Sequence, residues 1–388
     1  MKTSKLSLVE KIFLMLLLLF SVSLFDQAGL ILAALIVLFF LFSLKRTIKG
    51  DNCFFALFLF SIFYFVNYAL FWPVGYKEVI VYMVAPWACY LIGQQIVTDS
   101  RDDRILNKIA IIIAVGLFIH GALNLYALYT TYGFSYYYRV AVDFWRNEII
   151  SVTGCSLYYV PLMSWGIGYL FFGNLKKMKV LAAIAVAVGL ISNAVYENRT
   201  AVYLLVILLS LAIITTLIRN KAKLIVWITI ILTIITILVV WSLDVAGIRS
   251  YIWDLEVTQR LISEEVGRVG IWLNFLSGDW WRYPFGGEQV DFLYGHAHNL
   301  WLDTLYQVGF APFVFLLLFT VWSGVSVRRY FYKASYAQQP YLYLLLGMVV
   351  SCCVEPIIEA NPYFFLSLVM IVGAISGDLQ KEVAEIIS

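Results

Sequence analysis

The chain has 388 residues, of which 62% are hydrophobic, 17% aromatic and only 13% charged. A soluble fold would leave too few polar side chains to cover its surface, so the composition excludes an ordinary globular enzyme and predicts a polytopic membrane protein. The net charge of +3 is too small to suggest a nucleic-acid partner, and the placement of the charges says more than their sum.

A helix crosses the hydrocarbon in roughly 20 apolar residues. The hydropathy pattern predicts about twelve such spans, near 9–25, 28–44, 53–72, 78–97, 105–129, 153–173, 178–196, 200–218, 223–243, 299–326, 341–357 and 361–378. Lys2, Lys5 and Lys11 precede the first span, but no small-residue cleavage site follows it, so it is expected to remain as a signal anchor. Repeats, low-complexity tracts and Pro/Ser linkers are missing from the pattern, which predicts an all-α, polytopic transmembrane helical bundle forming one integral domain over 1–388. Cys53, Cys89, Cys155, Cys352 and Cys353 fall in or beside apolar stretches without metal-type spacing and read as packing residues.

Basic residues orient the spans. With a cytoplasmic N-terminus, 19 of the 27 Lys and Arg residues fall on inner segments, about three per segment. Eight fall outside: Lys77, Arg139, Arg146, Arg199, Arg249, Arg260, Arg268 and Arg282. This is the asymmetry of the positive-inside rule, and an even number of spans returns the C-terminus to the cytoplasm. Seven of those eight are arginine, whereas lysine predominates inside. Arginine's planar fork suits phosphate or pyrophosphate, although pairing with anionic lipid headgroups or with Asp143, Glu148, Glu264 and Glu265 is the plainer alternative.

Two outer loops are long enough to form a site, 130–152 and the larger 244–298. Both mix aromatics with charges: Trp280, Trp281, Tyr283 and Tyr294 stand among acids, Arg282 and the Gly286-Gly287 pair. Such rings serve either as an interfacial belt or as flat faces for sugars. The second loop ends in "LYGHAHNLWLDTLYQVG", Leu293 to Gly309, which holds two of the chain's three histidines, His296 and His298. On a helix these two point about 200° apart and cannot form the i, i+4 metal face of a zinc peptidase. An imidazole at an outward-facing membrane boundary is suited instead to accept a proton from a hydroxyl. Asn299 and Asp303, one turn apart, are expected to cap or orient the following segment. His120, within the fifth span, reads as a hydrogen-bonded packing residue.

"HNLWLDTLYQVG", His298 to Gly309, resembles the motif of the bacterial O-antigen ligase and polymerase family: a histidine, then Asn, Ser or Gln, nine residues, and a glycine opening a Gly-x-x-Gly turn. Here Pro312 replaces the second glycine. "NRTAV", Asn198 to Val202, is similar to that family's arginine motif at the start of a membrane helix, and "GRVGIWLNFL", Gly267 to Leu276, to its Arg-then-Trp segment. The resemblance implies a glycosyltransferase of the lipid-phosphosugar (GT-C) type in the bacterial plasma membrane, independent of metals and cofactors, with its active site outside. It implies that Arg199 and Arg268 hold the pyrophosphate of an undecaprenyl-pyrophosphate-linked donor and that His298 positions or deprotonates the acceptor hydroxyl. His296, Asn299, Trp272, Arg139, Arg146 and Arg282 are further substrate-binding candidates.

The aromatic and basic segment "YYRVAVDFWRNEIISVTG" is similar to a loop of capsular and exopolysaccharide repeat polymerases. A repeat-unit polymerase, with a chain-length regulator as a possible partner, is therefore the expected activity. A ligase acting on lipid A core is the alternative, and a lipid-oligosaccharide flippase or secondary transporter is the reading from another class. Transporters tend to place ionisable groups near the midplane in repeat-related positions, whereas here most arginines and acids sit at span ends or in loops. The orientation has a direct check. A cysteine at Gln289 is expected to react with a membrane-impermeant reagent from outside, and one at Ser335 only after permeabilisation; the reverse pattern would invert the topology.

Overall fold

In the computed structural model the described residues are 6–43, 50–102, 104–133, 140–196, 199–219, 268–292, 294–355 and 357–387. They are mostly helical, in the order α1 (Leu8–Val22), α2 (Ala28–Ser43), α3 (Asn52–Phe71), α4 (Tyr76–Asp99), α5 (Ile105–Tyr132), α6 (Val152–Phe172), α7 (Lys176–Val195) and α8 (Arg199–Arg219). After the segment 220–267, which lies outside the described residues, come α9 (Arg268–Ser277), α10 (Leu300–Val308), α11 (Phe310–Lys333), α12 (Gln339–Val354), α13 (Ile357–Ala360) and α14 (Pro362–Ile387). Five of these, α3, α4, α5, α11 and the apolar part of α14, are long and apolar enough to cross a membrane. Shorter apolar helices lie within α2, α6, α8 and α12, and the expected span at 223–243 lies outside the described residues. Regular helices suit such apolar sequences because each backbone N–H and C=O finds its partner within the helix.

Local signals set the helix boundaries. Ser7 and Glu10 form a capping box at the head of α1, with Ser7 N–H donating to Glu10 Oε2 at 2.6 Å and Glu10 N–H to Ser7 Oγ at 3.2 Å. Pro86 cannot donate back along α4, and the turn before it, Val79–Val84, widens to π geometry. Packing then uses small residues at the seams. A Cβ added at Gly93 would lie 2.0 Å from Met370 O, and one at Gly373 2.0 Å from Tyr90 O, so α4 and α14 meet backbone to backbone. A buried polar cluster ties the same pair to α3: Asp51 caps α3 through Phe54 N–H at 2.9 Å, and its other oxygen accepts from Tyr90 Oη at 2.7 Å and Ser376 Oγ at 2.6 Å.

Within the segment 130–152 an antiparallel hairpin, β1 (Val140–Asp143) and β2 (Glu148–Ser151), pairs Val140 with Ser151 and Asp143 with Glu148. Its turn is built by Asp143 Oδ1, which accepts from Trp145 and Arg146 N–H at 2.9 Å each, and by Asn147 in the left-handed region, φ 54°. The β-branched residues Val140, Val142, Ile149 and Ile150 supply the strand preference within an otherwise helical chain.

The span expected at 299–326 is two helices. Gly309, φ 79° and ψ −163°, separates α10 from α11. A strap of residues 284–288 crosses the break: Phe310 N–H donates to Pro284 O at 2.9 Å, Gly287 N–H to Gln307 O at 2.6 Å and Glu288 N–H to Tyr306 O at 3.1 Å. Asn67 Nδ2 of α3 donates to Val308 O at 2.6 Å, so the carbonyls that end α10 are satisfied from outside the helix. Pro312 falls in the first turn of α11, where its missing N–H costs nothing. Gly309 tolerates no side chain: an added Cβ would sit 2.1 Å from Pro284 O. Gly309→Ala is expected to destabilise the protein by at least ~1–3 kcal/mol, read as a lowered melting temperature in detergent; unchanged melting would refute the strap.

Candidate functional site

The histidine motif sits on the head of α10, and one carboxylate shapes it. Asp303, 1% exposed, accepts from Ala297 N–H at 2.6 Å through Oδ1 and from Asn299 N–H at 2.8 Å through Oδ2. Asn299 caps the helix, its Oδ1 accepting from Trp301 and Leu302 N–H at 3.2 Å each, while its Nδ2 donates to Cys353 O at 3.2 Å. The expectation that this pair caps and orients the segment therefore describes the structure. An acid in the first turn also complements the helix dipole.

His298 lies between the two clipped amides, half-buried, with φ 53°. A non-glycine residue in the left-handed region is uncommon and carries strain, which the Asp303 clip on both sides sustains. His296 is also half-buried, and its Nδ1 is buried with no hydrogen-bond partner among the described residues. Both imidazoles precede α10, Gly295 and His298 having positive φ, and their ring centroids are 6.3 Å apart. Among the described residues no group of three or more His, Cys, Asp and Glu side chains is placed to hold a metal ion.

Trp272 connects this segment to α9. Its Nε1 donates to Ala297 O at 2.9 Å, and Ile271 and Phe275 pack with Val290, Phe292, Leu305 and Tyr306. Arg268 stands one turn before Trp272 on the same face of α9, at the helix's first residue, so the docking of that tryptophan brings the Arg268 backbone toward the histidine segment. Burial, reinforced by Glu288, Asp291 and Asp303, holds the Tyr306 phenol above its ordinary pKa and keeps it a neutral packing ring.

Arg199 opens α8. Thr215, near the other end of α8, lines a groove with Gln339 and Tyr343, at the start of α12. The two helices are thus antiparallel, and Arg199, about 24 Å along α8 from Thr215, lies at the end where α12 stops. That end carries Cys353, whose carbonyl holds Asn299. The backbones of Arg199 and Arg268 therefore share one end of the bundle with His298, while their side chains lie outside the described residues.

The remaining candidates are not all brought together. Arg282, exposed on a 3-10 turn, pairs with Asp279 at 3.0 Å. Arg146 pairs with Asp26 at 2.7 Å in a cavity that the histidine segment does not line, and that hydrogen bond raises its pKa further above the ordinary guanidinium value. Arg139 lies outside the described residues. His120 packs as expected, 1% exposed, with Nδ1 2.8 Å from Val22 O and Nε2 3.2 Å from Asn124 Nδ2.

Sequence reasoning missed Glu355, a carboxylate only 1% exposed that caps the C-terminus of α12, two residues from Cys353. In the sequence it reads as an ordinary acid at a span end.

Neither a protein-family model nor a curated protein matches the chain. The clip around His298 has its own check. Asp303→Asn keeps the volume but leaves one acceptor oxygen for two amides, so it is expected to cost about 1.5–3 kcal/mol. Thermal denaturation in detergent reads this, and an unaltered melting curve would contradict the clip.

Proposed function

We propose that the chain is a membrane glycosyltransferase of about twelve spans that extends a polysaccharide from undecaprenyl-pyrophosphate-linked repeats, with its active site on the outer face of a bacterial plasma membrane. The observation that carries this reading is the convergence of the three motif segments. His298 in its strained turn, the N-terminus of α9 at Arg268 and the N-terminus of α8 at Arg199 lie at one end of the bundle. The uneven arginine distribution supports a phosphate-bearing substrate at that end.

In the proposed reaction the acceptor hydroxyl oxygen attacks the anomeric carbon of the donor glycan. The bond from that carbon to the pyrophosphate oxygen breaks, and the hydroxyl proton passes to the His298 imidazole. Undecaprenyl pyrophosphate leaves with one added negative charge, which the guanidinium groups of Arg199 and Arg268 stabilise as it develops. Helix N-termini at both arginines add positive potential to the same region. A positioned base contributes ~10²–10⁴-fold. Backside attack inverts the anomeric centre.

The test separates the parts. Arg199→Lys and Arg268→Lys are expected to fail nearly as badly as the alanine variants, because charge is kept but the bidentate fork is lost. His298→Asn, which tolerates the left-handed backbone, is expected to keep donor affinity and lower turnover ~10²-fold or more. Purified protein is expected to build a ladder from lipid-linked repeats without lipid A core and after exhaustive EDTA. Near-normal polymer from all three variants would remove the proposed site, and transfer only after addition of core would make the protein a ligase.

A further inference from the structure

A polar cavity of about 460 Å3 opens where the ends of α1, α4, α6 and α14 meet the β1–β2 hairpin. Its volume falls within the ~300–1,000 Å3 of small-molecule sites. The charged and amide groups in its wall are Asp26, Lys77, Glu78, Asp143, Arg146 and Asn361, drawn from four separate segments.

Five of these six groups make hydrogen bonds to their surroundings. Ser23, Phe25 and Asp26 all have left-handed backbones, with φ 52°, 52° and 58°, and this corner presents Asp26 to Arg146. The hairpin is fastened over α1 and α5: Trp145 Nε1 donates to Val22 O at 3.2 Å and Phe144 N–H to Asn124 Oδ1 at 3.0 Å. Each carboxylate uses one oxygen in these internal bonds, Asp26 with Arg146, Glu78 with Gly75 N–H, and Asp143 with its own turn. Among the described residues no hydrogen bond engages the other oxygen of each, which is open as an acceptor. Asn361 spans two elements, its Oδ1 accepting from Phe364 N–H at 3.2 Å and its Nδ2 lying 3.4 Å from Tyr158 Oη.

The balance of groups identifies the ligand chemistry. Three carboxylates face two cations, and one of the cations, Arg146, is already engaged by Asp26. A free phosphate would meet net repulsion here, whereas vicinal hydroxyls find paired acceptors, an amide and an ammonium. Tyr158 and Tyr363 add aromatic rings against which the C–H face of a sugar ring can lie. The cavity shares its end of the bundle with the histidine segment: Asn361 directly follows α13, which connects back to the α12 terminus whose Cys353 carbonyl holds Asn299.

We propose that this cavity is a saccharide-binding site that receives the acceptor end of the glycan. Its role as an acceptor site rests on the glycosyltransferase reading; its capacity to bind sugar does not. Gly154 lines the cavity, and a Cβ added there would meet nothing within 4 Å, so the position admits a reporter or a plug.

The experiment uses the full-length Gly154→Cys protein in detergent. The probe is the oligosaccharide released by mild acid from the polyprenyl-linked repeat of the producing cell. The oligosaccharide is expected to slow alkylation of Cys at position 154 severalfold, and Asn361→Ser, which keeps a capping hydroxyl, is expected to reduce that protection. In the turnover assay Gly154→Phe and Asn361→Ser are expected to raise the acceptor KM about tenfold or more while leaving donor affinity unchanged. Protection without any glycosyl transfer would uphold the site and overturn the enzymatic reading. Transfer without protection, or with an unchanged acceptor KM in Gly154→Phe, would overturn the site alone.

Discussion

The arrangement at the candidate site depends on the buried carboxylate of Asp303. A carboxyl side chain with 1% exposure is stable only when its oxygens are occupied, and both of them are, by the amides on either side of His298. That bonding sustains the left-handed backbone of His298 and fixes the direction in which the chain enters α10. Two further contacts extend the constraint. Trp272 reads the position of Ala297 and so docks α9, and Asn299 reads the end of α12 through Cys353. Local electrostatics at one carboxylate thus coordinates four segments that are far apart in the chain.

The break at Gly309 serves the same arrangement. Within hydrocarbon an interrupted helix leaves carbonyls that water cannot satisfy, so irregular backbone persists only where protein supplies the donors. Here the 284–288 strap and Asn67 supply them, at Tyr306, Gln307 and Val308. Shortening the apolar segment by α10 leaves α11 as the spanning helix and frees a compact amphipathic turn-and-helix unit to carry polar chemistry. The Gly286-Gly287 pair belongs to this strap: its residues have φ 77° and 76°, and a Cβ added at Gly286 would lie 2.4 Å from Gln307 O.

Two polar regions therefore share one end of the bundle, with different chemistry. The histidine segment combines strained backbone, imidazoles and the starts of two arginine-headed helices. The cavity beneath the hairpin combines carboxylates, an amide and aromatic rings. A reaction that joins an anionic lipid-linked donor to a sugar hydroxyl requires two such environments, one rich in positive potential and one rich in acceptors. In the proposed function they correspond to donor and acceptor.

Composition alone determined the class of molecule, because a chain 62% hydrophobic and 13% charged has no means of dissolving as a globule, and the membrane imposes helices on it. Motif spacing also disclosed the capping roles of Asn299 and Asp303, since a cap acts within one helical turn and is written in adjacent residues. The break at Gly309 was hidden because Leu300–Val308 is apolar enough to read as the start of a span; what separates it from α11 is the strap from 284–288. The hairpin had a local signature in its β-branched residues, which the helical surroundings masked. Nothing in the sequence linked Arg146 to Asp26, Asn361 to Tyr158, or Asn299 to Cys353. Those pairings arise between segments tens to hundreds of residues apart, and only the packing of helices against one another brings such groups within hydrogen-bonding range.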